Sequence, residues 1–336
     1  MSDNRSRRSF MKAAGAATVL AAGAGAVVNT TAAVDGDGHG WTAAETPTGK
    51  TLSEVVSTVE GPYAVGSSGN IMTRSDGSWE LVVDSGPSTK NNGLNDVAVT
   101  DDGKRIWYNG GSGALGAYDV VTGKKTDYTA PNGKTSTWEA IGVHGTMDNE
   151  VIMPANGSGE VFPGEMNEKG CIEWGTVTKP GGGSTIPGVT FRADEDGNPV
   201  AYVIDTSQGV YKSTDKGVSW SRIGVDNAQV AFYDVLATSD SVLVAGGSGR
   251  LYRLDCLCNR WTPIDIGSKS LNSLSKEDDR VLAAASSGRV YRRGSEGWQE
   301  MNTDGIQADL LGVTHGNSYN VAVGSSGTVI VNGGTS

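Results

Sequence analysis

Residues 63–79 read Y-A-V-G-S-S-G-N-I-M-T-R-S-D-G-S-W, and the core of that stretch returns three more times. It recurs as V-A-V-G-S-S-G-T-V-I-V at 321–331, L-V-A-G-G-S-G-R-L-Y-R at 243–253 and L-A-A-A-S-S-G-R-V-Y-R at 282–292. Each copy is an alternating apolar run, a Gly-Ser turn and a second alternating run, followed by an aromatic residue that opens a third. Alternation with a period of two is the pattern of a half-buried strand, and glycine supplies the positive φ that tight hairpin turns demand. The unit is a β-meander, repeated along the chain.

A short apolar-x-x-apolar segment precedes each copy, beginning at Leu52, Leu94, Trp138, Ile186, Phe232, Leu271 and Leu310. Spacings of roughly 40 to 50 residues accommodate four short strands with their turns, the size of a propeller blade. The sequence therefore predicts an all-β fold: a seven-bladed β-propeller of four-stranded antiparallel blades. The outer-strand aromatic follows at Trp79, Tyr128, Trp174, Trp220, Trp261 and Trp298, one short of the number of starts. The missing strand lies at the other end, where H-G-W-T-A-A-E-T-P-T-G at 39–49 resembles the outer-strand segments G-S-W-E-L-V-V-D-S-G and N-R-W-T-P-I-D-I-G. Residues 41–48 are expected to complete the last blade and close the ring, because an open ring leaves two unpaired sheet edges.

Three parts follow: an export signal at 1–33, a short linker with the closing strand at 34–51, and blades one to seven at 52–336. The signal is S-R-R-S-F-M-K at 6–12 ahead of an Ala/Gly-rich run, the pattern of twin-arginine export. No later stretch is long and apolar enough to span a bilayer. An exported protein of the cell envelope or extracellular space, monomeric, is the expectation. The net charge of −11 disfavours nucleic acid, which needs clustered Lys and Arg. Acidic pairs and triplets at turns, such as Asp101-Asp102 and Asp194-Glu195-Asp196, give the look of a salt-adapted surface whose self-repulsion is screened at high ionic strength.

Three cysteines, Cys171, Cys256 and Cys258, cannot all pair within the chain. Asn156-Gly157-Ser158 is an N-x-S sequon in what reads as an exposed turn. The connectors at 84–93, 129–137 and 179–188 are the longer ones, and belong on one face with the Gly-Ser turns.

K-S-T-D-K-G-V-S-W at 212–220 is a complete S-x-D-x-G-x-x-W box, and R-S-D-G-S-W at 74–79 is a shortened form. With the A-V-G-x-x-G runs, these motifs resemble the propellers of the photosystem II stability/assembly-factor type, within the wider group carrying sialidase-like Asp-box and WD/YVTN-like repeats. The resemblance implies a structural box of Ser213, Asp215, Gly217 and Trp220, the aspartate binding backbone of its own hairpin while the tryptophan packs between sheets. Sialidase chemistry is poorly matched: the nearest approach to their F-R-I-P segment is Phe191-Arg192-Ala193-Asp194, and His39, His144 and His315 form no recognisable triad motif.

What remains is the mouth of the central channel, where the first strand of each blade begins. Its opening positions include Glu54, Asn95, Asp96, Glu139, Tyr233, Asp234 and Asn272. Carboxylates converging there could hold a hard cation such as calcium, although no cofactor is called for, or a polar ligand. The first functional reading is a non-enzymatic binding propeller that takes a protein partner in the envelope, with the 176–188 connector at its contact. The second is a carbohydrate-active hydrolase or lyase acting on a glycan with carboxylates from Glu54, Asp96 and Asp234, of which Glu54 and Asp96, on adjacent blades, are the better pair.

Overall fold

The computed structural model describes residues 40–255, 258–303, 305–316 and 318–333. The export signal, His39 and Cys256 lie outside them. The rest is seven four-stranded antiparallel sheets arranged as a ring. The inner strands are Leu52–Thr58, Leu94–Val99, Trp138–His144, Gly188–Ala193, Phe232–Ala237, Leu271–Glu277 and Leu310–Thr314, one to each of blades one to seven. Neighbouring inner strands touch all the way round, the last meeting the first. The expected starts hold in six blades. In the fourth, pairing begins at Gly188 rather than Ile186, because Pro187 lacks the N–H a ladder needs.

Burial explains the architecture. Each apolar face of a blade finds its cover only on the next blade, so the core is divided into seven clusters, one at every junction. The junction of blades seven and one carries Leu52, Val55, Met72 and Trp79 against Val321, Val323 and Val329. The ring is thus sealed by the same apolar packing that joins every other pair.

Blade seven takes its outer strand from the other end of the chain. Thr42 pairs with Val331 and Ala43 with Ile330, while Trp41 is 4% exposed and packs among Leu282, Met301, Leu310 and Ile330 of blades six and seven. The paired segment is shorter than the 41–48 that the sequence suggested. After Ala44 the chain leaves the ladder: Thr46 Oγ1 donates to Gly327 O at 3.0 Å, and Pro47 follows with no N–H to offer. Residues 46–48 therefore run as the connector into blade one. Thr303 does the same one blade earlier, its Oγ1 donating to Gly288 O at 2.6 Å.

The Gly-Ser turns are alike in detail. In blade one Ser68 and Gly69 both have positive φ, 65° and 74°. A Cβ on Gly69 would stand 2.6 Å from Gly86 O, so the turn accepts glycine on two grounds, conformation and contact. The connector of each blade is drawn over its turn, as when Gly86 N donates to Gly69 O and Ile266 N to Gly249 O, both at 3.0 Å. Connectors and turns share one face, as expected.

Candidate functional site

The start of the inner strand is bulged in six of the seven blades. In every blade but the fourth, the register slips between the first and third residues, as between Leu94 and Asp96 or Phe232 and Asp234. A bulge leaves backbone groups outside the ladder, and the side chains nominated from sequence are the ones that take them up. Asp96 Oδ1 accepts from its neighbour Val97 N at 3.0 Å, and Oδ2 accepts from Ile141 N of blade three at 2.9 Å. Asp234 repeats the pattern, with Val235 N at 2.8 Å and Leu274 N of blade six at 2.7 Å. Ser273 Oγ, in the same place, accepts from Val313 N of blade seven at 3.2 Å. The asparagines one residue earlier also reach the next blade: Asn95 Nδ2 donates to Trp138 O at 2.8 Å and Asn272 Nδ2 to Leu310 O at 2.7 Å.

Glu54 does something different. Its Oε1 accepts from Val55 N and from Ser273 Oγ, both at 3.1 Å, the latter on blade six. Glu54, Asn95, Asp96, Glu139 and Asn272 are all buried, and Tyr233 and Asp234 are half-buried. Of the nominated positions, Glu54, Asn95, Asp96, Asp234 and Asn272 are thus joined in a belt of blade-to-blade hydrogen bonds. Both oxygens of Asp96 are engaged by backbone in this belt. Among the described residues no group of three His, Cys, Asp or Glu side chains is arranged to hold a metal ion.

In the 213–220 hairpin, Ser213 Oγ donates to Asp215 Oδ1 at 2.7 Å and accepts from Gly217 N at 2.8 Å. Asp215 accepts from the hydroxyl and the N–H of Ser219 at 2.6 and 2.9 Å. The Ser219 hydroxyl, more than any other group, holds the Asp215 carboxyl down to about 2. Trp220 Nε1 donates to Thr178 Oγ1 at 2.9 Å, and the indole packs on the junction of blades three and four. The polar side-chain atoms of Ser213, Asp215 and Trp220 are all hydrogen-bonded within the fold.

Asn156 corrects the expectation of an exposed sequon. It is fully buried, its Nδ2 donating to Glu160 Oε2 at 2.9 Å and its Oδ1 accepting from Ser158 N and Glu160 N at 2.9 and 3.0 Å. It caps the turn from within, so the folded chain offers no acceptor there. Cys171 and Cys258 are free and exposed.

A feature that the sequence reading missed lies on the rim between blades four and five. The outer strand Ser221–Gly224 and the connector behind it frame a recess of about 850 Å³, lined by Arg222, Asp226, Asn227, Gln229, Arg250 and Trp261 among others. Trp261 Nε1 donates to Ile223 O at 2.7 Å, and a Cβ on Gly224 (φ +147°) would strike the indole, 2.8 Å from its Cδ1. Tyr252 Oη donates to Ala228 O at 2.7 Å, which props the connector from beneath. Arg222 and Arg250 face Asp226 and Asp265 at 2.9 and 2.6 Å. The available signal was local: Asp226-Asn227-Ala228-Gln229 is a polar connector next to a tryptophan strand, with Asn227 and Gln229 both left-handed.

A ring of seven four-stranded blades closed by its own N-terminal strand defines the class: a seven-bladed β-propeller. The chain belongs to the HVO_0234-like beta-propeller family, whose sequence model matches residues 109–336. No curated protein matches it. Among solved structures it is similar to a catalytically inactive virginiamycin B lyase from Staphylococcus aureus with quinupristin, at a TM-score of 0.71 and 13% identity over 88% of this chain and 99% of that one. YCF48 bound to D1 peptide aligns at 0.68 and 13% over 89% and 96%. YCF48 from Cyanidioschyzon merolae aligns at 0.63 and 15% over 87% and 98%. At these identities the likeness is one of fold.

Proposed function

We propose that this protein is a non-enzymatic binding propeller, exported to the cell envelope or beyond, which holds a protein partner in the recess between blades four and five. The observation that carries this reading is the use made of the channel-mouth acids: Asp96 and Asp234 each hold two backbone N–H groups, one on the next blade. Groups spent in this way serve the ring. The recess, by contrast, combines an aromatic face, two arginines and the side chains of Asn227 and Gln229 in one open concavity. An aromatic anchor with arginine and a polar rim is the composition of a protein-binding spot. The structure of YCF48 bound to D1 peptide lends support, since a propeller of similar fold there takes a peptide.

The test is recovery of a partner. The tagged protein, purified from envelope fractions under native salt, should carry a stoichiometric polypeptide. A double substitution of Arg222→Ala and Gln229→Ala, both at exposed positions, should reduce that recovery at least tenfold with an unchanged melting curve. Equal recovery from the double variant would move the contact elsewhere, and recovery of the free chain alone would count against a binding role.

A further inference from the structure

The facing sheets of blades five and six part into a second recess, about 500 Å³, at the end of the blades away from the Gly-Ser turns. Its floor is apolar, formed by Leu243 and Val281, both buried. In blade five Leu243 stands opposite Arg253, and in blade six Val281 stands opposite both Lys276 and Arg293. Residues directly opposite across a sheet share a face, so Arg253 rises from one wall and Lys276 with Arg293 from the other. Asp240 and Asp279 complete the charged lining. Asp240 is already occupied: its Oδ1 accepts from Thr238 Oγ1 at 2.8 Å and its Oδ2 faces Arg253 at 3.4 Å. Neither Lys276 nor Arg293 has an ion-pair partner within 4.0 Å among the described residues.

The repeat shows that a cation at this place is not an obligatory part of a blade. Arg293 stands opposite the outer-strand Trp298, as Leu254 stands opposite Trp261 and Arg74 opposite Trp79. Leu254 is buried in the core, and the Arg74 guanidinium lies over the Tyr319 ring at 4.4 Å. Both are absorbed by packing. Arg293 instead faces an open recess beside two other cations, in a chain whose net charge is −11. With three cations against the carboxylates of Asp240 and Asp279, the lining keeps an excess of positive charge that an anion relieves, and guanidinium groups match the geometry of tetrahedral oxyanions.

We propose that this recess is an oxyanion site, which takes a phosphate or sulfate group between Arg253, Lys276 and Arg293. It is separate from the recess between blades four and five, and its occupancy does not depend on the partner proposed there. The experiment is calorimetric titration of the full chain with inorganic phosphate and, in a parallel arm, with sulfate, at constant ionic strength set with chloride. Saturable binding of one anion per chain is expected, and the arm with the tighter constant names the preferred oxyanion. Lys276→Gln with Arg293→Gln should weaken that binding at least tenfold, whereas Arg280→Gln, an exposed arginine paired with Glu277 in the adjoining turn, should leave it unchanged. Absence of saturable binding in both arms, an undiminished affinity in the double variant, or an equal loss in Arg280→Gln would each overturn the assignment.

Discussion

The Ser273 hydroxyl donates to Glu54 Oε1 at 3.1 Å, a bond from blade six to blade one that passes over blade seven. Gly312 makes it possible. It holds in blade seven the bulge position that Glu54 and Ser273 hold in theirs, and a Cβ there would stand 2.7 Å from Glu54 Cα and 2.9 Å from Val55 N. Because those obstacles are backbone, the strain has no cheap relief. Gly312→Ala should lower stability by about 1–3 kcal/mol, the usual scale of overpacking, measured by denaturant or thermal melting. A melt identical to the parent would mean that the three blades are not locked at this point.

Asp96 is expected to matter for the ring and not for turnover. Asp96→Ala would leave the N–H groups of Val97 and Ile141 without their acceptor, at about 1–3 kcal/mol for each buried donor left unpaired. Asp96→Asn keeps one acceptor oxygen and should cost less. Partner recovery per folded molecule should be the same in both variants as in the parent, and a glycan-substrate screen should show no turnover that depends on Asp96.

Closure gives a third prediction. Trp41→Ala removes an indole buried among residues of two blades, a loss of about 3–5 kcal/mol. A chain beginning at Leu52 also exposes the edge of Val329–Asn332, so it should melt earlier and aggregate. A chain beginning at Gly40 should do neither. Equal melting temperatures for the two truncations would place closure elsewhere.

His315 sets an acid limit. It follows the inner strand of blade seven, with Nδ1 3.2 Å from the Ser275 hydroxyl. Burial, aided by the charge of Arg280, lowers its pKa from 6.5 to about 4. Between those values the unfolded chain takes up a proton that the folded chain refuses. The stability contributed by the neutral ring is therefore complete above pH 6.5 and is lost as the pH falls from there towards about 4. His315→Gln should flatten the decline in stability between pH 7 and pH 5, read as the denaturation midpoint. A slope equal to the parent's would assign that decline to other groups.

The fold was legible because repetition multiplies a weak signal: one alternating run is ambiguous, but V-A-V-G-S-S-G and L-V-A-G-G-S-G at matching offsets are not. Trp41 was legible for the same reason, since it occurs in a segment that resembles other outer strands. The short pairing of Thr42 and Ala43 was not, because departure from the ladder depends on Gly327 O, which lies 281 residues from Thr46. The geometry of the residues nominated for the channel mouth stayed hidden. A bulge is a backbone event that creates the donors for Asp96 and Asp234, and no composition announces it. Asn156 misled because an N-x-S triplet looks the same whether its amide faces water or, as here, turns inward to Glu160. The recess between blades four and five was missed because Arg222 and Arg250 come from different repeats, and only packing brings them to one concavity.

The antiparallel match of Thr42 with Val331 and Ala43 with Ile330 fixes how the ring responds to force. Tension that draws the N-terminal segment away from the C-terminal strand would load these pairs by peeling, Thr42 with Val331 first, and not by shear along the whole strand. Two residue pairs, the Trp41 indole, the Ala44 N–H on Val329 O and the Thr46 contact hold this outer strand in place, while the apolar seam of blades seven and one closes the ring without it. A molecule hauled by its ends would shed the outer strand of blade seven first, while the other six sheets, whose four strands are each contiguous in sequence, kept their pairing.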